Sequence, residues 1–356
     1  MPQSVVLSID AMGGDSGPSV VVPGVAFAAK SLLKGRDVRF MLHGDAAQIE
    51  AELAKTPDAR SVCELRHTDQ VIASDAKPAQ ILRRSKGTSL YNAIEAIRSG
   101  QARAAVSAGN TGAMMAVGKL ILRTFDGLER PAIAASWPTS RGVTVVLDVG
   151  ANVTADAAQL VDFAILGEAF HRAVHGAQRP TVGLLNVGSE DIKGHEEVRE
   201  AHRLLRESGL DLDYRGFVEG DGIVKGVVDV VVTDGFTGNV ALKTGEGALK
   251  LVSELLRQVF GGSVGGKLAY MLARPGLERL RTWLDPRRYN GAVLLGLNGV
   301  VVKSHGGADA EGFAHALDVA MDMVVHRFDE RIREGLARLT SLAEAAREGQ
   351  HLATAR

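Results

Sequence analysis

VVDVVVTDGFTGNVALKTGEG, residues Val227–Gly247, is the stretch on which the fold turns. Val227 to Thr233 is a short run rich in β-branched residues with one acid, Asp229. Such a run reads as a strand buried on both faces, as in parallel sheets. It breaks at Asp234-Gly235-Phe236-Thr237-Gly238-Asn239. The apolar spacing then becomes helical, through Ala248, Leu251, Val252, Leu255, Leu256 and Val259. A buried strand, a glycine turn and a helix start leave backbone N–H groups pointing at whatever occupies the turn, which suits an anion.

Working outward, the same order recurs. Val5–Ile9 runs into Asp10–Pro18 (DAMGGDSGP), Ala104–Ser107 into 108–112 (AGNTG), and Val143–Leu147 into Asp148–Asn152 (DVGAN). Val182–Leu185 runs into Asn186–Gly194 (NVGSEDIKG), Tyr214–Val218 into Glu219–Gly222 (EGDG), and Val300–Val302 into Lys303–Asp309 (KSHGGAD). Strand, polar glycine turn and helix in repetition predict an α/β fold with a doubly wound, mostly parallel sheet. Ligands of such sheets bind at the carboxyl ends of the strands, so the turns are expected to share one sheet edge. The pattern predicts one catalytic domain over 1–345 with a helical insertion at about 250–290, and a frayed tail at 346–356.

Composition narrows the function. The chain has 356 residues, 46% hydrophobic and 23% charged, which fills an ordinary globular core. A net charge of −1 supplies no field for nucleic acid. The single cysteine, Cys63, permits no internal disulfide and fits a reducing compartment. It lies in a strand-like run, where a buried structural thiol is the expected reading. The N-terminus shows no signal peptide, and Ala292–Val302, the longest apolar stretch, is too short to span a bilayer.

Individual turn residues carry the candidate chemistry. Glycine lets backbone approach an anion, and Asp, Asn, Ser and Thr cap the helix or add donors. Each turn alone is most often a plain N-cap; five on one sheet edge point to an anion site. Lys193 and His305 each follow a strand in such a turn. A lysine there balances phosphate or polarises a carbonyl, and a histidine donates to an oxyanion or moves a proton. Asn110 and Asn239 offer side-chain amides, or simple caps. Asp10, Asp15, Asp148 and Asp234 have the chemistry for Mg²⁺, but capping is the preferred reading and no metal is expected. Gly261–Gly265 has the spacing of a nucleophile elbow but follows a helix, and no P-loop or dinucleotide glycine motif is present.

Residues 261–290 break the rhythm with no strand. Six basic residues against two acidic ones give this segment a net charge of +4, interleaved with Leu268, Met271, Leu272, Leu280 and Trp283. A basic, amphipathic, Trp-bearing helix suits an anionic membrane surface, and equally a partner subunit. Leu272, Arg274, Arg279, Arg281 and Trp283 are the candidate membrane or carrier-protein contacts.

At these turns the chain resembles the PlsX-type phosphate acyltransferases of bacterial phospholipid synthesis. The matching stretches are Ile9–Pro18, Ser107–Ala113, Leu184–Gly194, Glu219–Gly222, Val230–Gly247 and Gly296–Gly312. The resemblance implies a Rossmann-like three-layer α/β/α fold related to phosphotransacetylases, working as a homodimer. It implies that acyl-[acyl carrier protein] and inorganic phosphate give acyl phosphate and free carrier protein. The product would pass to a membrane glycerol-3-phosphate acyltransferase, which places the chain in the cytoplasm, peripheral to the inner face of the cytoplasmic membrane. No cofactor is called for.

The chemistry agrees with the residues. Phosphate is the nucleophile and a thiol leaves, so neither a Ser–His nor a Cys–His pair is needed. The expected arrangement holds phosphate between three turns: Asp10, Gly13, Gly14 and Asp15; Gly109, Asn110, Thr111 and Gly112; and Asp234, Gly235, Thr237 and Gly238. Lys193 would face its charge, with Asn239 and His305 addressing the carbonyl. Two other classes compete. LSIDAMGG (Leu7–Gly14) as a phosphate loop suggests an actin-like kinase needing ATP and Mg²⁺, and a non-catalytic membrane scaffold would show no thioester phosphorolysis.

Overall fold

The computed structural model describes residues 4–73 and 78–326, together with Phe328 and Ile332. The tail expected at 346–356 lies outside the described residues. Eleven described strands form one sheet: β1 Val5–Asp10, β2 Val38–Gly44, β3 Cys63–His67, β4 Ala104–Ser107, β5 Ala132–Thr139, β6 Gly142–Leu147, β7 Thr181–Leu185, β8 Asp213–Val218, β9 Val230–Val232, β10 Ala292–Leu295 and β11 Val300–Lys303. Their spatial order is β3-β2-β1-β4-β11-β10-β5-β6-β9-β7-β8.

The apolar runs are buried on both faces because alternate residues feed different cores. Val300 and Val302 join one cluster with Val21, Val25, Phe163 and Phe313, while Val301 joins another with Ile94, Met114 and Val117. Val230 and Val232 against Val231 divide the same way, as do Val293 and Leu295 against Leu294. A strand covered by helices on both faces has no polar side to display, hence the continuous apolar sequence. The Pro18–Phe27, Ala157–His175 and Ala310–Val325 helices cover the first face. Ser89–Arg98 and Thr111–Leu122 cover the second. The fold is the predicted mostly parallel α/β sheet.

Two sequence readings change. Ala292–Val302 holds two strands rather than one, folded back at Gly296–Gly299. β10 is antiparallel to both β11 and β5, and β5 is antiparallel to β6. Three successive reversals make β6, β9, β7 and β8 run opposite to β1, β2, β3, β4 and β11. The glycine turns therefore do not share one sheet edge, contrary to expectation. Those after β1, β4 and β11 lie on one edge, and those after β6, β7 and β9 on the other.

The opening stretch also changes. Only Val230–Val232 is strand, and the Gly235–Gly261 helix begins inside the glycine turn itself. Asp229 is occupied at the strand entry, accepting the backbone N–H and the hydroxyl of Thr181, each at 2.7 Å.

Candidate functional site

Parallel register assembles the first cluster. Asp10 of β1 pairs with Ser107 of β4, and Ser107 pairs with Lys303 of β11, so three sequence-distant residues form one row at the strand ends. The Ser107 hydroxyl donates to the Asp10 carboxylate at 2.7 Å and accepts the Gly109 N–H at 2.9 Å. Met12 N–H also donates to Asp10, at 3.3 Å. Burial raises the Asp10 pKa, opposed by hydrogen bonds from Ser89, Ser107, Met12 and Gly13. Asp10 is thus an internal brace for two turns.

Gly13 closes over this brace. A Cβ there would meet Gly109 N at 2.7 Å and both Asp10 Oδ2 and Ser107 Oγ at 2.8 Å. Gly14 has φ +88°, and Asp15 N–H donates to Gly306 O at 3.0 Å, tying the first turn to that of β11. Asn110 caps the Thr111–Leu122 helix by accepting Ala113 N–H at 2.9 Å, so Thr111 and Gly112 are its first residues. Their N–H groups stand at the positive end of the helix dipole.

Lys303 is half-buried in this cluster. Its ammonium donates to Ala108 O at 3.2 Å and to Ser304 O. Burial lowers its pKa to about 8, with Asp15 pulling upward and Lys243 downward. His305 accepts Gly307 N–H on Nδ1 at 3.1 Å, so the neutral ring carries its proton on Nε2. Its backbone N–H is held by Asn290 Oδ1 at 2.9 Å, while Asn290 Nδ2 donates to Ser304 Oγ and Gly312 O. Desolvation, then the charge of Lys243, lowers the His305 pKa.

The second cluster forms on the other edge. The buried Asp148 carboxylate accepts backbone N–H groups of Ile133, Gly150, Ala151 and Asn152 at 2.7–3.1 Å, and the Asn152 amide at 2.9 Å. Gly235 N–H donates to Asn152 O at 2.7 Å. Asp234 caps the long helix, accepting the N–H and hydroxyl of Thr237, both at 2.8 Å. Capping is therefore where Asp234 and Thr237 are engaged. Gly235 and Gly238 are the contact points of this helix on the Asp148–Asn152 loop. Asn239 lies over Gly150 and is exposed; its amide has no hydrogen bond among the described residues. Lys193 is also exposed, in a loop held by Asn186 Nδ2 donating to Lys193 O at 3.1 Å.

The long helix connects the clusters. It leaves the second edge at Gly235, and Lys243, one turn beyond Asn239, acts electrostatically on Lys303 and His305. Residues four apart share a helix face, so Asn239 and Lys243 look the same way.

Comparison with known proteins places this arrangement. A family profile described as "Fatty acid synthesis protein" matches residues 5–331. A phosphate acyltransferase from Caulobacter vibrioides is 61% identical over 349 residues, covering 98% of this chain and 96% of that protein. One from Acidiphilium cryptum is 57% identical, covering 95% and 88%. The chain belongs to the phosphate acyltransferase family. It is an acyltransferase that moves an acyl group to phosphate. In fold it is similar to phosphotransacetylases from Streptococcus pyogenes (TM-score 0.60, 17% identity, 91% of this chain and 95% of that one) and Staphylococcus aureus (0.58, 17%, 90% and 94%).

Sequence reasoning passed over several residues of this phosphate acyltransferase. Ser107 and Lys303 looked like strand ends, and Asn290 like the end of the basic segment. Only register brings them to the turns. Lys243 lies inside Val227–Gly247 but beyond its glycine turn, where no turn chemistry singles it out. Cys63 is half-buried and its thiol is pushed up to about 12 by burial, which keeps it protonated.

The basic segment is helical, as read. The Val264–Trp283 helix folds back on the long helix, and Phe260 meets Tyr270 edge to face at 5.7 Å between centroids. It has no buried residue: Met271 is 65% exposed, Leu272 78% and Trp283 41%. Leu251, Leu255 and Val259 of the long helix are exposed as well. Arg274 pairs with Glu278 at 2.7 Å. An apolar face this open on a protein surface marks a contact site. No helix among the described residues is long and apolar enough to cross a membrane.

Proposed function

We propose that the acyl donor is acyl-[acyl carrier protein] and that the acyl phosphate product serves phospholipid synthesis. The glycine turns braced by Asp10 and Ser107 carry this reading. They offer a cradle of backbone donors and a cation beside it, the equipment for phosphate as nucleophile. A phosphate oxygen attacks the thioester carbonyl carbon, the C–S bond breaks, and the proton of the hydrogen phosphate ends on the departing thiol. The protein's task is orientation and charge: holding phosphate in line with the carbonyl and donating to the tetrahedral oxyanion. One such donor is worth roughly 3 kcal/mol in the transition state.

The same reading assigns the roles. Gly13, Gly14 and Gly109–Gly112 hold phosphate over the Asp10 brace. The Nε2–H of His305, without a partner among the described residues, donates to the carbonyl. Asn239 and Lys193, from the second edge, address the thioester along the face of the long helix. The exposed hairpin, basic and apolar at once, suits an acidic carrier protein, an anionic membrane and a second subunit. We assign it to the inner face of the cytoplasmic membrane, in a homodimer that hands its product to a membrane glycerol-3-phosphate acyltransferase.

The test mixes protein, long-chain acyl carrier protein and inorganic phosphate. Free thiol and hydroxylamine-reactive acyl phosphate are expected in equal amounts, without ATP and in the presence of EDTA. Turnover only with ATP and Mg²⁺ would point to a kinase, and vesicle binding without turnover to a scaffold.

A further inference from the structure

We propose that Lys303 is the principal cation of the phosphate site, set beside the Ala108–Gly109 turn with one ammonium proton left for the phosphate dianion. This rests on acyl transfer to phosphate and not on the carrier-protein reading.

Placement comes first. Lys303 ends β11, in register with Ser107 and hence in the row that contains Asp10. Its ammonium reaches across to Ala108 O, immediately before the Gly109–Gly112 turn. The first-turn N–H groups of the Thr111–Leu122 helix and the Asp15–Gly306 tie flank the same spot.

Hydrogen-bond capacity comes second. An ammonium has three donors. Ala108 O and Ser304 O take two of them. Both acceptors are neutral carbonyls, and no carboxylate lies within ion-pair distance of Lys303 among the described residues. A half-buried ammonium held without a counter-charge is costly. A bound dianion supplies that charge.

The surrounding field comes third. Asp15 is the acid that attracts Lys303, Lys243 on the long helix repels it, and His305 lies close enough to feel it. Lys303, Lys243 and Lys250 against Asp15 and Glu246 leave one net positive charge around His305, and Glu246 is taken up by Lys243 at 2.9 Å. The low pKa of Lys303, about 8, is what such a site shows before its anion arrives.

Lys303→Met and Lys303→Arg test this, with inorganic phosphate as the probe. Lys303→Met is expected to raise KM for phosphate at least ~10-fold, with KM for the thioester within twofold and no loss of Tm. Equilibrium dialysis of radiolabelled phosphate, with no acyl donor present, is expected to show the same loss. In the wild type, kcat/KM for phosphate falls as pH rises through about 8, and Lys303→Arg, which cannot deprotonate there, abolishes that limb. A lysine that merely struts two carbonyls predicts the reverse: lower Tm, unchanged phosphate KM and dialysis, and an alkaline limb surviving in Lys303→Arg. Any of these in a folded variant overturns the assignment. Wild-type turnover of acyl coenzyme A but not acyl carrier protein would discard the carrier reading while leaving Lys303 in place.

Discussion

Gly238, in the first turn of the long helix, packs directly on the carbonyl oxygen of Asp148, leaving no room for a Cβ. The oxygen cannot retreat, because the Asp148 side chain is held by four backbone N–H groups and the Asn152 amide. Gly238→Ala should therefore destabilise by about 1–3 kcal/mol or more and displace Asn239. Gly247→Ala, in open space on the same helix, should have the opposite sign, stabilising by about 0.5–1 kcal/mol. Urea unfolding of both variants checks the pair; equal effects would show that helix propensity, not contact, governs this helix.

The Asp10–Ser107 brace predicts a pH-dependent cost. The Ser107 hydrogen bond favours the charged form of a carboxyl whose pKa burial has raised. A raised carboxyl stabilises the fold most below its unfolded value, and that contribution fades as pH rises through the folded value. Ser107→Ala raises it further. The variant should lose about 1.5–3 kcal/mol where Asp10 is ionised, and less as the pH falls and Asp10 takes up its proton. A loss independent of pH would place the hydroxyl's contribution elsewhere.

Asp148→Asn exchanges a carboxylate surrounded by donors for an amide that brings two donors of its own. At least one buried N–H then faces another. The expected cost is about 3 kcal/mol or more, read as a fall in the denaturation midpoint. A midpoint within error of the wild type would mean that the 148–152 loop rearranges freely.

Lys193 and Asn239 are exposed, so truncating them leaves packing intact. Lys193→Ala and Asn239→Ala should each cut acyl phosphate formation at least ~100-fold with unchanged Tm. Near-wild-type turnover in both would remove the second edge from the chemistry.

For the hairpin, Arg279→Glu with Arg281→Glu, or Trp283→Ala, should weaken flotation with anionic vesicles. A neighbouring base contributes about 1 kcal/mol at such a surface, so the double reversal should cost at least ~10-fold. Stability should hold within about 0.5 kcal/mol, since these side chains are exposed. Unchanged flotation would assign the face to another partner.

Much of this architecture was legible locally. Valine runs, glycine turns and N-caps such as Asp234 and Asn110 depend on neighbours a few residues away, and that range is where sequence patterns act. The helical, basic and amphipathic character of residues 261–290 was legible for the same reason, and its folding back on the long helix was not. β10 was not, because two strands folded back at glycines read as one apolar stretch.

The sequence by itself determined the succession of strand, turn and helix, the anion-binding character of the turns and the resemblance that named the chemistry. Tertiary structure decided which turns meet. Three antiparallel pairings around β10 and β5 send half the turns to the other sheet edge, and parallel register puts Asp10, Ser107 and Lys303 in one row. Strand direction and register are set by pairing between segments up to about two hundred residues apart. No local pattern encodes that, so Val227–Gly247 announced an anion site while the lysine beside the first cradle stayed hidden at the end of β11.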